Sequence, residues 1–112
     1  MNKGRLEPIF FEKQAIRFLE TTSHARYEHN GVEKDIPLLK TLRDGNHVKI
    51  YIYFDDSIVG SIKNPRLVDT DGDVVAVIER EVIKGERIGF YALFSHEFGE
   101  EPEGVITDEQ VQ

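Results

Sequence analysis

The stretch His47 to Phe54 reads HVKIYIYF, and its strict alternation leaves the chain little choice of what to become. Val48, Ile50, Ile52 and Phe54 fall on one parity, and His47, Lys49, Tyr51 and Tyr53 on the other. A strand sends successive side chains to opposite faces, so this pattern gives one buried apolar face and one amphipathic face, whereas a helix would mix the two sets. From Val48 to Phe54 every residue but Lys49 is β-branched or aromatic, the types that fit a pleated, half-buried surface. The stretch predicts a central strand with Ile50 and Ile52 in the core.

The rest of the chain is cut by turn residues. Met1 to Pro8 lacks periodicity and reads as a mobile arm. Ile9 to Glu20 is ambiguous: Phe11, Ala15, Phe18 and Leu19 could line a helix, yet Ile16 and Phe18 also alternate with Ala15, Arg17 and Leu19. Strand is favoured for Ala15 to Glu20, because Thr21-Thr22-Ser23 follows with no C-capping glycine. Asn30-Gly31 predicts a type I′ turn joining two short polar strands, His24 to Glu28 and Val32 to Ile36. Leu38 to Leu42 reads as a strand or a helical turn, closed by Arg43-Asp44-Gly45-Asn46. Ser57 to Lys63 is a strand broken by Asn64-Pro65; Arg66 to Asp69 and Val74 to Ile83 are strands joined by a second I′-type turn at Asp71-Gly72. Arg87 to Phe98 is the last strand, with Ile88, Phe90, Ala92, Phe94, His96 and Phe98 on one face and Gly89, Tyr91, Leu93 and Ser95 on the other. Its two largely apolar faces suit a central position. Seven or eight short strands between such turns predict an all-β fold, an antiparallel sandwich or barrel over residues 9–99.

Composition narrows the function. A chain of 112 residues can bury a core of its own, and the absence of cysteine removes disulfides, thiolate catalysis and cysteine-ligated zinc. No apolar run approaches the length needed to span a bilayer and no apolar stretch follows the basic start, so neither a membrane span nor a signal peptide is expected, and the cytoplasm is the expected compartment. The formal charge of −7 is uneven: Glu97, Glu100, Glu101, Glu103, Asp108 and Glu109 carry six acids with no Lys or Arg among them, leaving 15 acids against 14 bases in the first 96 residues. Nucleic acid is therefore not the expected partner, since such binders neutralise phosphates with basic side chains. Residues 100–112 read as an acidic, disordered tail.

The chemical motifs are weak. Asp69-Thr70-Asp71-Gly72-Asp73 opens like a calcium loop, but Val74 stands where that loop needs glycine and Arg80 where it needs a bidentate glutamate, so a plain turn is the expectation. His24, His29, His47 and His96 have no metal-ligand spacing, and His96-Glu97-Phe98-Gly99-Glu100 lacks the second histidine of a zinc helix. Ser23-His24 and Ser95-His96 are adjacent pairs whose side chains diverge on a strand. No catalytic residue, metal ligand or cofactor is assigned. What remains is aromatic: Lys49, Tyr51 and Tyr53 share a strand face, Tyr91 and Leu93 share another, and Tyr27 could join them. Tyr buries its ring while keeping its hydroxyl hydrogen-bonded, which favours interfaces, and with a cation nearby it can also stack on sugars.

From Val48 onward, Ile58-Val59-Gly60-Ser61-Ile62, then Leu67 to Val75 with its Asp-Thr-Asp-Gly-Asp turn, then Gly89-Phe90-Tyr91-Ala92-Leu93-Phe94, the chain resembles immunoglobulin-like sandwich modules, in particular those of baseplate and tail proteins from phages of Gram-positive bacteria. Ile9 to Asn46 lies outside the resemblance, and the Cys and Trp marks of antibody-type domains are absent. The resemblance implies a structural or accessory role in a virion. The expected function is thus a non-enzymatic protein-interaction or self-associating module acting through Lys49, Tyr51, Tyr53, Tyr91 and Leu93; a carbohydrate-binding module is the alternative, and a small hydrolase or metal-dependent enzyme comes third. Because the tail holds few apolar residues, deleting residues 103–112 should leave the melting temperature within about 2 °C of the full chain by calorimetry. A larger loss would mean that Val105 and Ile106 dock on the body.

Overall fold

The computed structural model describes residues 4–99; Met1 to Lys3 of the expected arm and the expected acidic tail lie outside these residues. Helix α1 (Pro8–Thr21) leads into β1 (Thr22–His29), β2 (Val32–Ile36), β3 (Lys40–Asp44), β4 (His47–Phe54), β5 (Gly60–Asp69), β6 (Val74–Val77), β7 (Glu81–Lys84) and β8 (Phe90–Glu97). All pairings are antiparallel. They form two sheets, one ordered β2-β1-β5-β6 with β7 also on β5, the other ordered β3-β4-β8. The chain is an all-β sandwich, and β4 is the middle strand of the smaller sheet. The core between the sheets includes Ala25 and Tyr27 of β1, Ile50, Ile52 and Phe54 of β4, Ile62 and Leu67 of β5, and Ala92 and Phe94 of β8.

Several expectations are overturned. The segment Ala15 to Glu20 is helical, not extended. Pro8 occupies the first turn, where its fixed φ suits a helix and its missing N–H costs nothing. Ala15 is fully buried, with Phe18 and Leu19 packed on the core. No glycine is needed at the C-terminus, because the Thr22 amide and hydroxyl both donate to the Phe18 carbonyl, the latter at 2.6 Å, while the Thr21 hydroxyl donates to that of Arg17 at 2.9 Å. Threonine hydroxyls thus satisfy carbonyls that a glycine cap would otherwise expose.

Asn64-Pro65 does not end a strand; β5 runs through it as a bulge. Asn64 sits at φ 50, and the register with β1 shifts between Arg26 and Glu28. A proline inside a sheet is tolerated at such a bulge. The bulge divides what pairs with β5 on the other side: the Asn64 amide donates to the Arg80 carbonyl at 2.7 Å, and Asn64 Oδ1 accepts the Arg80 amide at 3.0 Å. The expected long strand Val74 to Ile83 is consequently two, β6 beside Arg66 to Val68 and β7 beside Gly60 to Lys63. Finally, β8 starts at Phe90 because Arg87 adopts φ 59, and it is an edge strand rather than a central one.

Turns behave largely as read. Asn30 and Gly31, at φ 50 and 85, fit the type I′ hairpin between β1 and β2. Replacing Ile52, fully buried at the centre of β4, with Ala should destabilise the fold by about 2–5 kcal/mol, transfer plus cavity, measured as a lowered urea midpoint. An unchanged midpoint would contradict the core assignment.

Candidate interaction surface

The register of the smaller sheet decides where the aromatic residues go. In β4 and β8, Tyr53 stands opposite Tyr91, Tyr51 opposite Leu93, Lys49 opposite Ser95 and His47 opposite Glu97. Directly paired residues point to the same side, so the two faces expected from β4 and from β8 are one surface, the outer face of the sheet. On the other flank β3 adds Lys40 opposite Tyr51 and Leu42 opposite Lys49.

Each tyrosine is held by a definite neighbour. The Tyr53 and Tyr91 rings lie 4.7 Å apart at 40°. Tyr53 also fits against Gly89, where a methyl group would collide with its ring and hydroxyl, so glycine there makes room for the aromatic pair. Lys40 Nζ stands 5.3 Å from the centre of the Tyr51 ring, within the range of a cation–π contact. Tyr91 is 45% exposed and Leu42 equally so. Tyr51, Tyr53 and Lys49 are half-buried, while Leu93, on the same side as Tyr51, is only 3% exposed and so is covered by its neighbours rather than presented. Beside it the buried Ser95 hydroxyl is 2.7 Å from His47 Nε2.

The outer face of the larger sheet is of another kind. Arg26 and Arg66 stand directly opposite each other, and each takes a carboxylate from β2: Asp35 at 2.8 Å from Arg26, Glu33 at 2.9 Å from Arg66. The hydrogen bond from Arg26 and its charge hold the Asp35 carboxyl below its ordinary value. Across β1, β2 and β5 this face is laddered with opposite charges; the aromatic face is not. Tyr27 belongs to neither, since it is buried against Phe54 at 4.9 Å, and burial raises its phenol.

The other candidate groups have structural partners. His24 lies 3.0 Å from the Ser23 hydroxyl and 3.5 Å from Asp35, His29 bonds the Val59 carbonyl at 2.7 Å, and the His96 ring meets Phe98 edge-on at 4.6 Å. Among the described residues the one group with metal-type donors close together is Asp69, Asp71 and Asp73, whose carboxylate oxygens lie within 4.8 Å of one another. Asp69 Oδ1 there accepts the amides of Asp71 and Asp73 at 3.0 and 2.9 Å, the bonding of an Asx turn. Gly72 has the expected positive φ, 86, but Asp71 does not, so the loop is a three-residue turn closed by a left-handed glycine rather than type I′.

A group the sequence did not single out is Lys84, 3% exposed, which donates to the Ile58 carbonyl at 2.6 Å. It clamps the β4–β5 loop, whose Asp55 is held below its ordinary value by the Ser57 hydroxyl and amide and by the Lys84 charge. No period or motif marks such a lysine; only tertiary packing does. Among the described residues no helix is long and apolar enough to cross a membrane.

No protein-family model matches this chain, and neither do any curated protein or solved structure. Function therefore rests on the geometry alone.

Replacing Gly72 with Ala should cost about 1–2 kcal/mol, because a Cβ resists the left-handed conformation although nothing crowds it. Millimolar calcium should leave the melting temperature unchanged; a rise of several degrees with calcium but not magnesium would assign the three aspartates to an ion.

Proposed function

We propose that the protein is a non-enzymatic interaction module that binds another protein, or a second copy of itself, through the outer face of the three-stranded sheet. Tyr51, Tyr53 and Tyr91 are its aromatic anchors, Lys49 and Lys40 its cationic flank, and Leu93 the buried support. The observation that carries this reading is the pairing of Tyr53 with Tyr91 across the sheet, which fuses two modest aromatic patches into one next to the exposed Leu42. A solvated face does not need that much apolar surface, and contiguous patches of this kind usually mark interaction sites. The contrast with the Arg26–Asp35 and Arg66–Glu33 ion pairs on the outer face of the other sheet supports the same choice. A role as an assembly or accessory component, in the cytoplasm or in a virion after assembly, accords with the likeness of Ile58 to Phe94 to phage sandwich modules; fold likeness by itself does not assign function.

Tyr anchors commonly contribute more than about 1 kcal/mol each to association, while their truncation changes stability little where the ring is exposed in the free protein. The double variant Tyr51→Ala, Tyr91→Ala should therefore keep its melting transition and lose association, read by sedimentation equilibrium for self-association and by affinity capture for a foreign partner. A monomer at high concentration, no captured protein, and a glycan-array signal that the double variant abolishes would replace this reading with carbohydrate binding.

A further inference from the structure

A helix laid against a sandwich need hide one side only, and its other side is ordinarily charged or polar. Helix α1 departs from this. Its inner side is made by Ala15, fully buried, with Phe18 and Leu19 packed on the core and Glu12 held by Arg43. At about 3.6 residues per turn, Ile9, Lys13 and Ile16 fall at i, i+4 and i+7, and Phe10 and Arg17 at i and i+7, all on the side away from Ala15. Every one of these is exposed, Ile9 at 54%, Phe10 at 41% and Ile16 at 36%. Leu6, just ahead of the helix, is exposed as well. The helix is therefore apolar on two sides, a pattern that ordinarily means contact on both.

Charge and the order of the side chains select what covers the outer side. The acids at the start of the helix are already engaged, Glu12 with Arg43 at 3.2 Å and Glu7 with Arg5 at 4.0 Å. Among the described residues no ion pair involves Lys13 or Arg17. In a chain of formal charge −7 the outer side of Pro8 to Arg17 is thus basic. Acids return only at the far end, with Glu20 and with Asp71 and Asp73, whose turn is tied to the helix by the Thr70 amide donating to the Thr21 carbonyl at 2.8 Å. Lys13 lies between Ile9 and Ile16, within the apolar patch and not at its rim. The centres of protein–protein contacts are depleted in lysine, because docking there strips water from the ammonium. A lipid surface makes no such demand. Apolar side chains sink to the boundary of headgroups and acyl chains, while Lys and Arg stems lie along apolar surface and carry their charges out to the phosphates. We infer that the outer side of α1 rests on the surface of an anionic bilayer, with Ile9, Phe10 and Ile16 at the acyl boundary and Lys13 and Arg17 among the headgroup anions. So few cations and apolar side chains give a reversible, salt-sensitive attachment and not a permanent anchor. The contact shares no residue with the tyrosine face.

The test is co-sedimentation of the full chain with vesicles of phosphatidylcholine alone or of phosphatidylcholine mixed with phosphatidylserine, at low and at physiological salt. The chain should pellet with the mixed vesicles, stay in solution with phosphatidylcholine alone, and be released by about 1 M salt. Lys13→Glu with Arg17→Glu, at exposed positions without ion pairs, should weaken partitioning ~tenfold or more with the melting transition retained. Ile9→Ser with Phe10→Ser should weaken it as well, since charge alone is not the proposed attachment. Equal pelleting with both vesicle types, no pelleting with either, or indifference to either double variant would overturn the proposal. Competition by soluble glycerophosphoserine would overturn it in favour of an anion site that needs no bilayer. A dimer in sedimentation equilibrium that Ile9→Ser with Phe10→Ser dissolves would make the occupant a second copy, and a protein captured by the parent chain but not by that variant would make it a foreign protein. Tyr51→Ala with Tyr91→Ala should leave vesicle binding unchanged; its loss would move the lipid contact to the tyrosine face and overturn the assignment to α1.

Discussion

The antiparallel pairing of β4 with β8 is the constraint on which the rest depends. Eight consecutive residue pairs, His47 with Glu97 through Phe54 with Phe90, run without a register shift. Because side chains alternate with a period of two, a slip of one residue would carry Ile50, Ile52 and Phe54 to solvent and the tyrosines into the core, so burial on one side fixes the aromatic surface on the other. The surface proposed for recognition is thus a by-product of packing the core. That is why Ile52 and Tyr53, adjacent in sequence, answer to different demands.

Wherever local periodicity and burial agree, as in β4 and in the faces of β8, the sequence is transparent. The parity of Tyr91 and Leu93 is evident from the chain, and so is that of Lys49, Tyr51 and Tyr53; their union into one face is not, because it needs the cross-strand register. Two further features were hidden for distinct physical reasons. The bulge at Asn64-Pro65 resembles a strand break because proline usually is one, and only the reciprocal bonds between Asn64 and Arg80 turn it into a continuation. The splitting of Val74 to Ile83 follows from that single event, since β7 cannot stay in line with β6 along a bent partner.

Helix α1 illustrates a competition between two local signals. Its apolar residues satisfy both periods over Ala15 to Leu19, so the decision falls to the ends. Pro8 opens the helix and paired threonines close it, and the closing mechanism uses hydroxyls that the sequence rule about glycine does not count. Tertiary packing then selects the helix: an Arg43–Glu12 ion pair at 3.2 Å and the burial of Ala15 fix it across one end of the sandwich.

A partner on the proposed aromatic surface would meet side chains rather than backbone, so it would have to match shape and ring geometry, the mode in which a few Tyr residues dominate affinity. That surface draws on both β4 and β8, because Tyr53 and Tyr91 are cross-strand partners with rings 4.7 Å apart, so whatever loosens the pairing of the two strands loosens the anchors with it.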